Sequence, residues 1–121
     1  MKSDELKKRT FQYAIRCVRL VDALPSTTTA QVLGKQLLRC ATSVGANYRA
    51  AARSRSRLDF ISKMGIVEEE CDETLYWIEV FNELGILSSE RTQSLYNEGA
   101  EILAIIVTSI KTAKSRRERN P

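Results

Sequence analysis

The sequence predicts an all-α fold, an antiparallel up-down-up-down four-helix bundle. Three observations carry that expectation. Apolar residues recur at spacings of three and four along the whole chain, which is the period of a helix face. Only five Gly and two Pro interrupt 121 residues. The breaks between periodic segments are short and polar, which favours helices that turn back on their neighbours. No segment alternates at period two, and no repeat or low-complexity tract is present. At this length the chain reads as one domain, residues 1–121, able to bury a core, with a basic, frayed tail at about 115–121.

Helix 1 is expected from Asp4 to Leu24. Asp4 can cap it, and Asp4 with Glu5 suits the positive end of the helix dipole. Leu6, Tyr13, Cys17, Leu20, Val21 and Leu24 form its apolar stripe. Pro25 stops it, because the residue before a proline disfavours α geometry. A turn of Ser26 and threonines 27–29 follows, any of which can cap helix 2.

Helix 2 should start near Ala30 and run into the 54–57 region. Its stripe is Leu33, Leu37, Cys40, Val44, Tyr48 and Ala51 or Ala52. Small residues crowd its middle, and Gly45 costs about 1 kcal/mol there relative to Ala. Gly45 therefore marks a close helix crossing, a kink, or a break that forms a ligand loop.

Helix 3 follows a junction around Ser54–Ser56. Phe60, Met64, Val67, Cys71, Leu75, Ile78 and Phe81 give a bundle seam. Gly85 is placed to end it in the left-handed conformation. Ser88 or Ser89 caps helix 4, expected over about Glu90–Lys114 with the stripe Leu95, Gly99, Ile102, Ile106 and Ile110. From Ile102 to Ile110 this helix is apolar nearly all round, which suggests a subunit contact as well as a core face.

Composition narrows the function classes. With no His in the chain, a Glu-x-x-His di-iron centre has no ligands, and three dispersed cysteines form neither a zinc pair nor a disulfide framework. Cys17, Cys40 and Cys71 read as small core residues in a reducing compartment. No nucleophile–base pairing or Gly-rich phosphate loop suggests an enzyme. No apolar run reaches the length of a membrane span, and the start of the chain has no signal-peptide pattern. The expectation is a cytoplasmic, non-enzymatic protein with no cofactor, no metal site and no membrane role.

Charge is segregated. Residues 30–65 hold seven positive and one negative side chains, whereas residues 66–101 hold one positive and ten negative. Two outcomes follow. Arg39, Arg49, Arg53, Arg55, Arg57 and Lys63 can contact nucleic-acid phosphates, or they can pair with the helix 3 carboxylates Glu69, Glu70 and Glu73. Ser43 and Asn47 share a face of helix 2 and, with Glu70 and Glu73, are candidates for a structural polar network or a polar ligand contact. Tyr76, Trp77 and Phe81 read as core residues rather than a base-stacking platform.

These residues resemble a known family. Leu38-Arg39 with Ala41, the run Ser43-Val44-Gly45-Ala46-Asn47-Tyr48-Arg49, the arginines at 53–57, Asp59-Phe60, and Glu70 with Glu73-Thr74 before Tyr76-Trp77 are similar to the four-helix-bundle proteins encoded in intervening sequences of bacterial 23S ribosomal RNA genes. The likeness spans about Gln36 to Leu87. Ala50 departs from it, standing where that family leads one to expect Glu. The resemblance implies a left-handed antiparallel bundle that assembles into a ring, with a homopentamer favoured. The similar accessory proteins of diversity-generating retroelements are basic pentamers that bind nucleic acid and work with a reverse transcriptase. The expected partners are therefore copies of the chain itself, RNA or DNA, and a reverse transcriptase where the member is retroelement-associated. The competing expectation is a structural or adaptor oligomer that binds a protein partner and has no nucleic-acid role.

Overall fold

The computed structural model describes residues 3–119, with side chains described through Arg116. Four helices account for nearly all of it: α1 (Ser3–Asp22), α2 (Thr28–Ala52), α3 (Arg57–Leu84) and α4 (Ser89–Arg119). There is no strand among the described residues.

The boundaries follow local chemistry. α1 ends two residues before the expected Leu24, and Ala23 and Leu24 form a turn on the carbonyls of Leu20 and Val21 ahead of Pro25. Thr27 caps α2, its hydroxyl accepting from the Ala30 amide at 3.1 Å. α2 stops at Ala52, and the Arg53 amide bonds back to Ala50. Ser56 caps α3 by accepting from the Asp59 amide. Gly85, with φ of 65°, ends α3 in the left-handed region that favours glycine. The Ser88 hydroxyl accepts from the Arg91 amide at the start of α4. α4 continues five residues beyond the Lys114 expected, to Arg119. Residues 120 and 121 lie outside the described residues.

The predicted stripes meet in one core. Tyr13, Leu20, Leu37, Val44, Met64, Val67, Ile78, Phe81, Ile102 and Ile106 are almost fully buried. Three threonines that the apolar pattern missed are buried with them. Thr10 and Thr74 satisfy their hydroxyls on their own helices, donating to the Lys7 and Glu70 carbonyls. The Thr92 hydroxyl donates to Asn82 Oδ1 of α3 at 2.7 Å, with the Ser89 and Ser88 carbonyls farther off at 3.2 and 3.3 Å. Helix-internal bonding is what lets a polar residue occupy a core position.

Glycines mark the close crossings. α2 passes unbroken through Gly45, where an added Cβ would lie 3.5 Å from the Thr10 backbone. The close-crossing reading holds there, and no ligand loop forms. At Gly99 an added Cβ would overlap the Tyr13 hydroxyl and sit 2.7 Å from Leu75 Cδ2. α1 and α4 share the least contact of the adjacent pairs, and a polar clasp spans them. Arg9 of α1 donates to both oxygens of Glu98 at 2.8 and 2.7 Å and to Glu101 at 3.1 Å. Farther along α1, Arg16 donates to the Ser94 hydroxyl.

Candidate nucleic-acid interface

The six predicted cations separate into two groups. Arg39 and Lys63 are engaged. Arg39 donates to both oxygens of Glu73 at 2.8 and 2.7 Å and to Glu70 at 3.3 Å, joining α2 to α3. That fork and its carboxylate hold the guanidinium charge more firmly than usual, chiefly through the hydrogen bonds to Glu73. Lys63 pairs with Asp59 one turn earlier on α3, at 3.0 Å. Arg49, Arg53, Arg55 and Arg57 are exposed and make no ion pair among the described residues.

Those four arginines cluster for a structural reason. Arg49 is in the last turn of α2, Arg53 is its C-cap, and Arg57 opens α3. No acidic side chain occurs in the short junction before Asp59. The Tyr48 hydroxyl donates to Ser3 Oγ at 3.2 Å, which brings the start of α1 beside the end of α2. Lys7 and Lys8 consequently join Arg49 around one surface recess of about 310 Å³ that also holds Asp4 and Phe11.

The expected polar network forms differently. Asn47 Nδ2 donates to the Ser43 carbonyl at 2.8 Å, and Ser43 Oγ donates to the Arg39 carbonyl at 2.8 Å. Both are one-turn bonds within α2, and neither side chain reaches Glu70 or Glu73. Those two carboxylates bind Arg39 instead, because a guanidinium spans the gap between helices and short side chains do not. Glu69 makes no ion pair among the described residues. Of the three aromatics read as core, Phe81 is fully buried and Trp77 packs at the edge of the core, but Tyr76 is exposed. The helix turns Tyr76 outward, where its ring meets the edge of Trp77 at 5.0 Å between centroids.

The chemistry of the interior is inert. Burial pushes the Cys17 and Cys71 thiols up to about 12 and raises that of Cys40. All three are buried and unbridged. A protonated, inaccessible thiol is no nucleophile. Among the described residues no group of three or more His, Cys, Asp or Glu is placed to hold a metal ion. No described helix is long and apolar enough to cross a membrane.

Sequence reasoning missed the clasp of Arg9, Glu98 and Glu101. Arg9 lies 89 residues from Glu98, and nothing in either local pattern points to the other. The one available signal was an arginine one residue from the edge of the α1 stripe.

A four-helix chain with small residues at the α1–α2 crossing and an Arg-rich α2–α3 junction invites comparison with known proteins. The family profile described as 23S rRNA-intervening sequence protein matches residues 2–108. The chain belongs to that family. A solved member of the S23 ribosomal protein family from Bacteroides thetaiotaomicron, a protein of unknown function, has 36% sequence identity to it. The two superpose with a TM-score of 0.85 over 92% of this chain and 99% of the other. No curated protein matches the sequence.

Proposed function

We propose that this intervening-sequence protein is a non-enzymatic, cytoplasmic homo-oligomer that binds the RNA or DNA backbone through one basic end of its bundle. The observation that carries the reading is the group Arg49, Arg53, Arg55 and Arg57, exposed and free of carboxylate partners among the described residues. Four uncompensated guanidinium groups repel one another and attract polyanions. The inverse order of the contacts supports an up-down-up-down antiparallel arrangement. Ser3 meets Tyr48 while Thr10 lies at Gly45, and Asn82 meets Thr92 while Cys71 lies at Gly99. In such a bundle the basic turn of α4, with Lys111 and Lys114, ends beside the same junction. A ring would repeat the patch around its rim, so that weak phosphate contacts add. A pentamer is the favoured number by resemblance alone, as is a reverse transcriptase as partner of a retroelement-associated member.

Backbone contact implies a steep salt dependence with little base preference, because each neutralised phosphate releases counterions. Replacing Arg53, Arg55 and Arg57 together with Ala should reduce the slope of log affinity against log salt by about two to three for mixed-sequence RNA. The melting temperature should not fall, since no ion pair is lost and like charges are removed. An unchanged slope refutes the reading. Failure of the wild type to bind mixed-sequence RNA or DNA at low salt would favour the second reading, an adaptor oligomer with a protein partner. That alternative draws on the acidic face of α3, where Glu69, Asp72, Glu79 and Glu83 are all exposed.

A further inference from the structure

Among the apolar side chains that the bundle leaves exposed, two groups carry opposite charge. The first lines a groove of about 240 Å³ between α1 and α2. Phe11 and Ile15 form one wall, 60% and 37% exposed, while Gly45 and Ala46 form a low floor. The floor is low because Gly45 lets the α1 and α2 backbones approach, so a side chain from outside can settle between the ridges. The groove's charged lining is Lys7 and Arg49, and Lys8 and Asp4 stand in the recess that adjoins it.

The second surface is the outer face of α3. Ile66 is 45% exposed and Tyr76 56%. Between and beside them stand Glu69, Asp72 and Glu79, all exposed and without ion pairs among the described residues. No Lys or Arg occurs from Met64 to Glu90. The nearest cation along α3 is Lys63, already engaged by Asp59, and exposed apolar side chains rimmed by charge are the anatomy of an interface core with its rim. Here the two rims are complementary in charge.

Resting on the oligomer reading above, we infer that the α1–α2 groove of one copy receives the α3 outer face of a second copy. Tyr76 meets Phe11 and Ile15, with Ile66 about 15 Å away along α3 at the margin of the contact, while Lys7 and Arg49 meet the acidic residues of α3 and leave Arg53, Arg55 and Arg57 to face nucleic acid in the assembly. The two surfaces are different parts of one molecule, so the contact is heterologous. Every copy then has one of each to offer, and the contact closes into a ring or runs on as a filament. This locates the main contact on α1 and α3. On α4, where all-round apolarity suggests a further contact, Leu103 and Ile105 are partly buried against the subunit's own core.

A mixing experiment tests the pairing. One variant carries Phe11→Asp and Ile15→Asp, which blocks the groove. Another carries Ile66→Asp and Tyr76→Asp, which blocks the face. All four positions are at least a third exposed, and circular dichroism with a melting curve checks that each variant stays folded. Light scattering should report the wild type as an oligomer and each variant alone as a monomer at ~50 μM. Mixed in equal amounts, the variants retain one good groove and one good face between them, and should give a one-to-one heterodimer and nothing larger. Should the groove aspartates unfold the chain, Lys7→Glu with Arg49→Glu takes their place, and should the face aspartates do so, Glu69→Lys with Glu79→Lys does; each should weaken assembly by placing like charges opposite each other.

A wild-type oligomer whose mass is untouched by these variants overturns the pairing and leaves the oligomer reading standing. Variants that are monomeric alone and remain monomeric when mixed also overturn it, because the contact is then isologous. A groove variant that assembles normally but loses single-stranded RNA assigns Phe11 to nucleic acid and sinks the pairing too. A monomeric wild type removes the oligomer reading itself, and this inference with it.

Discussion

The fine fit of the bundle rests on single residues such as Gly99. In a helix interior glycine is intrinsically unfavourable by about 1 kcal/mol relative to alanine. It is tolerated in α4 because the Tyr13 ring and Leu75 occupy the space a methyl would need. Gly99→Ala should therefore destabilise the fold by roughly 1–3 kcal/mol despite its better propensity, the usual cost of overpacking. The Tyr13 hydroxyl makes no hydrogen bond of full geometry among the described residues, having only the weak Cys17 thiol beside it. Tyr13→Phe removes both that unsatisfied oxygen and the nearest clashing atom. Urea unfolding of the two single variants and the double variant should give a non-additive cycle, with Gly99→Ala costing less when Tyr13 is Phe. Additive costs would mean that the two residues are not coupled. The buried thiols belong to the same scale. Their folded values stand above the ordinary thiol value near ~8.5. The stability they contribute is complete below that pH and is lost as pH rises toward about 12.

At the scale of elements, the weakest join is between α1 and α4, and Arg9 bridges it. The hydrogen bonds from Arg9 hold the Glu98 carboxyl below its ordinary value. A depressed carboxylate contributes stability above its unfolded pKa of ~4.3 and loses it as pH falls through the folded value. Arg9→Ala should cost about 1 kcal/mol at pH 7, somewhat above a surface pair because both partners are half-buried. That cost should shrink progressively below pH ~4. Denaturant titrations of both proteins across pH 3–7 check it, and a cost independent of pH would deny Glu98 the role. Arg39 makes the corresponding join between α2 and α3 but is half-exposed, and its removal should cost less.

For the whole molecule, charge separation is the main physical feature. Arg49, Arg53, Arg55 and Arg57 raise the energy of the folded state by mutual repulsion, and any polyanion that binds them relieves it. Binding to the folded state alone stabilises it by mass action. Heparin or mixed-sequence RNA at low salt should therefore raise the melting temperature by several degrees, and ~0.5 M salt should abolish the gain. The variant lacking Arg53, Arg55 and Arg57 should show a much smaller shift. An equal shift in that variant would assign the polyanion effect to other cations, such as those of α1 and the end of α4.

Much of this was decided by the sequence alone. Four helices follow from an apolar spacing that only the helical period satisfies, and their ends from short-range chemistry: Thr27, Ser56, Ser88 and Gly85 each act within one turn. The segregation of charge along the chain is likewise a property of order, and it was enough to single out the cations between Arg39 and Lys63. What the sequence could not decide was partnership. Arg39 and Arg53 are alike in local context, yet one reaches Glu73 and the other reaches no carboxylate. The difference lies in where α3 passes α2, with Cys40 of α2 beside Thr74 of α3. Tyr76 and Phe81 are both aromatics on one helix, and their opposite fates follow from its rotation against the core. Arg9 and Glu98 are brought together only when α1 and α4 close the bundle. Ion pairs and exposed faces depend on distances between helices, which local spacing does not encode and tertiary packing does.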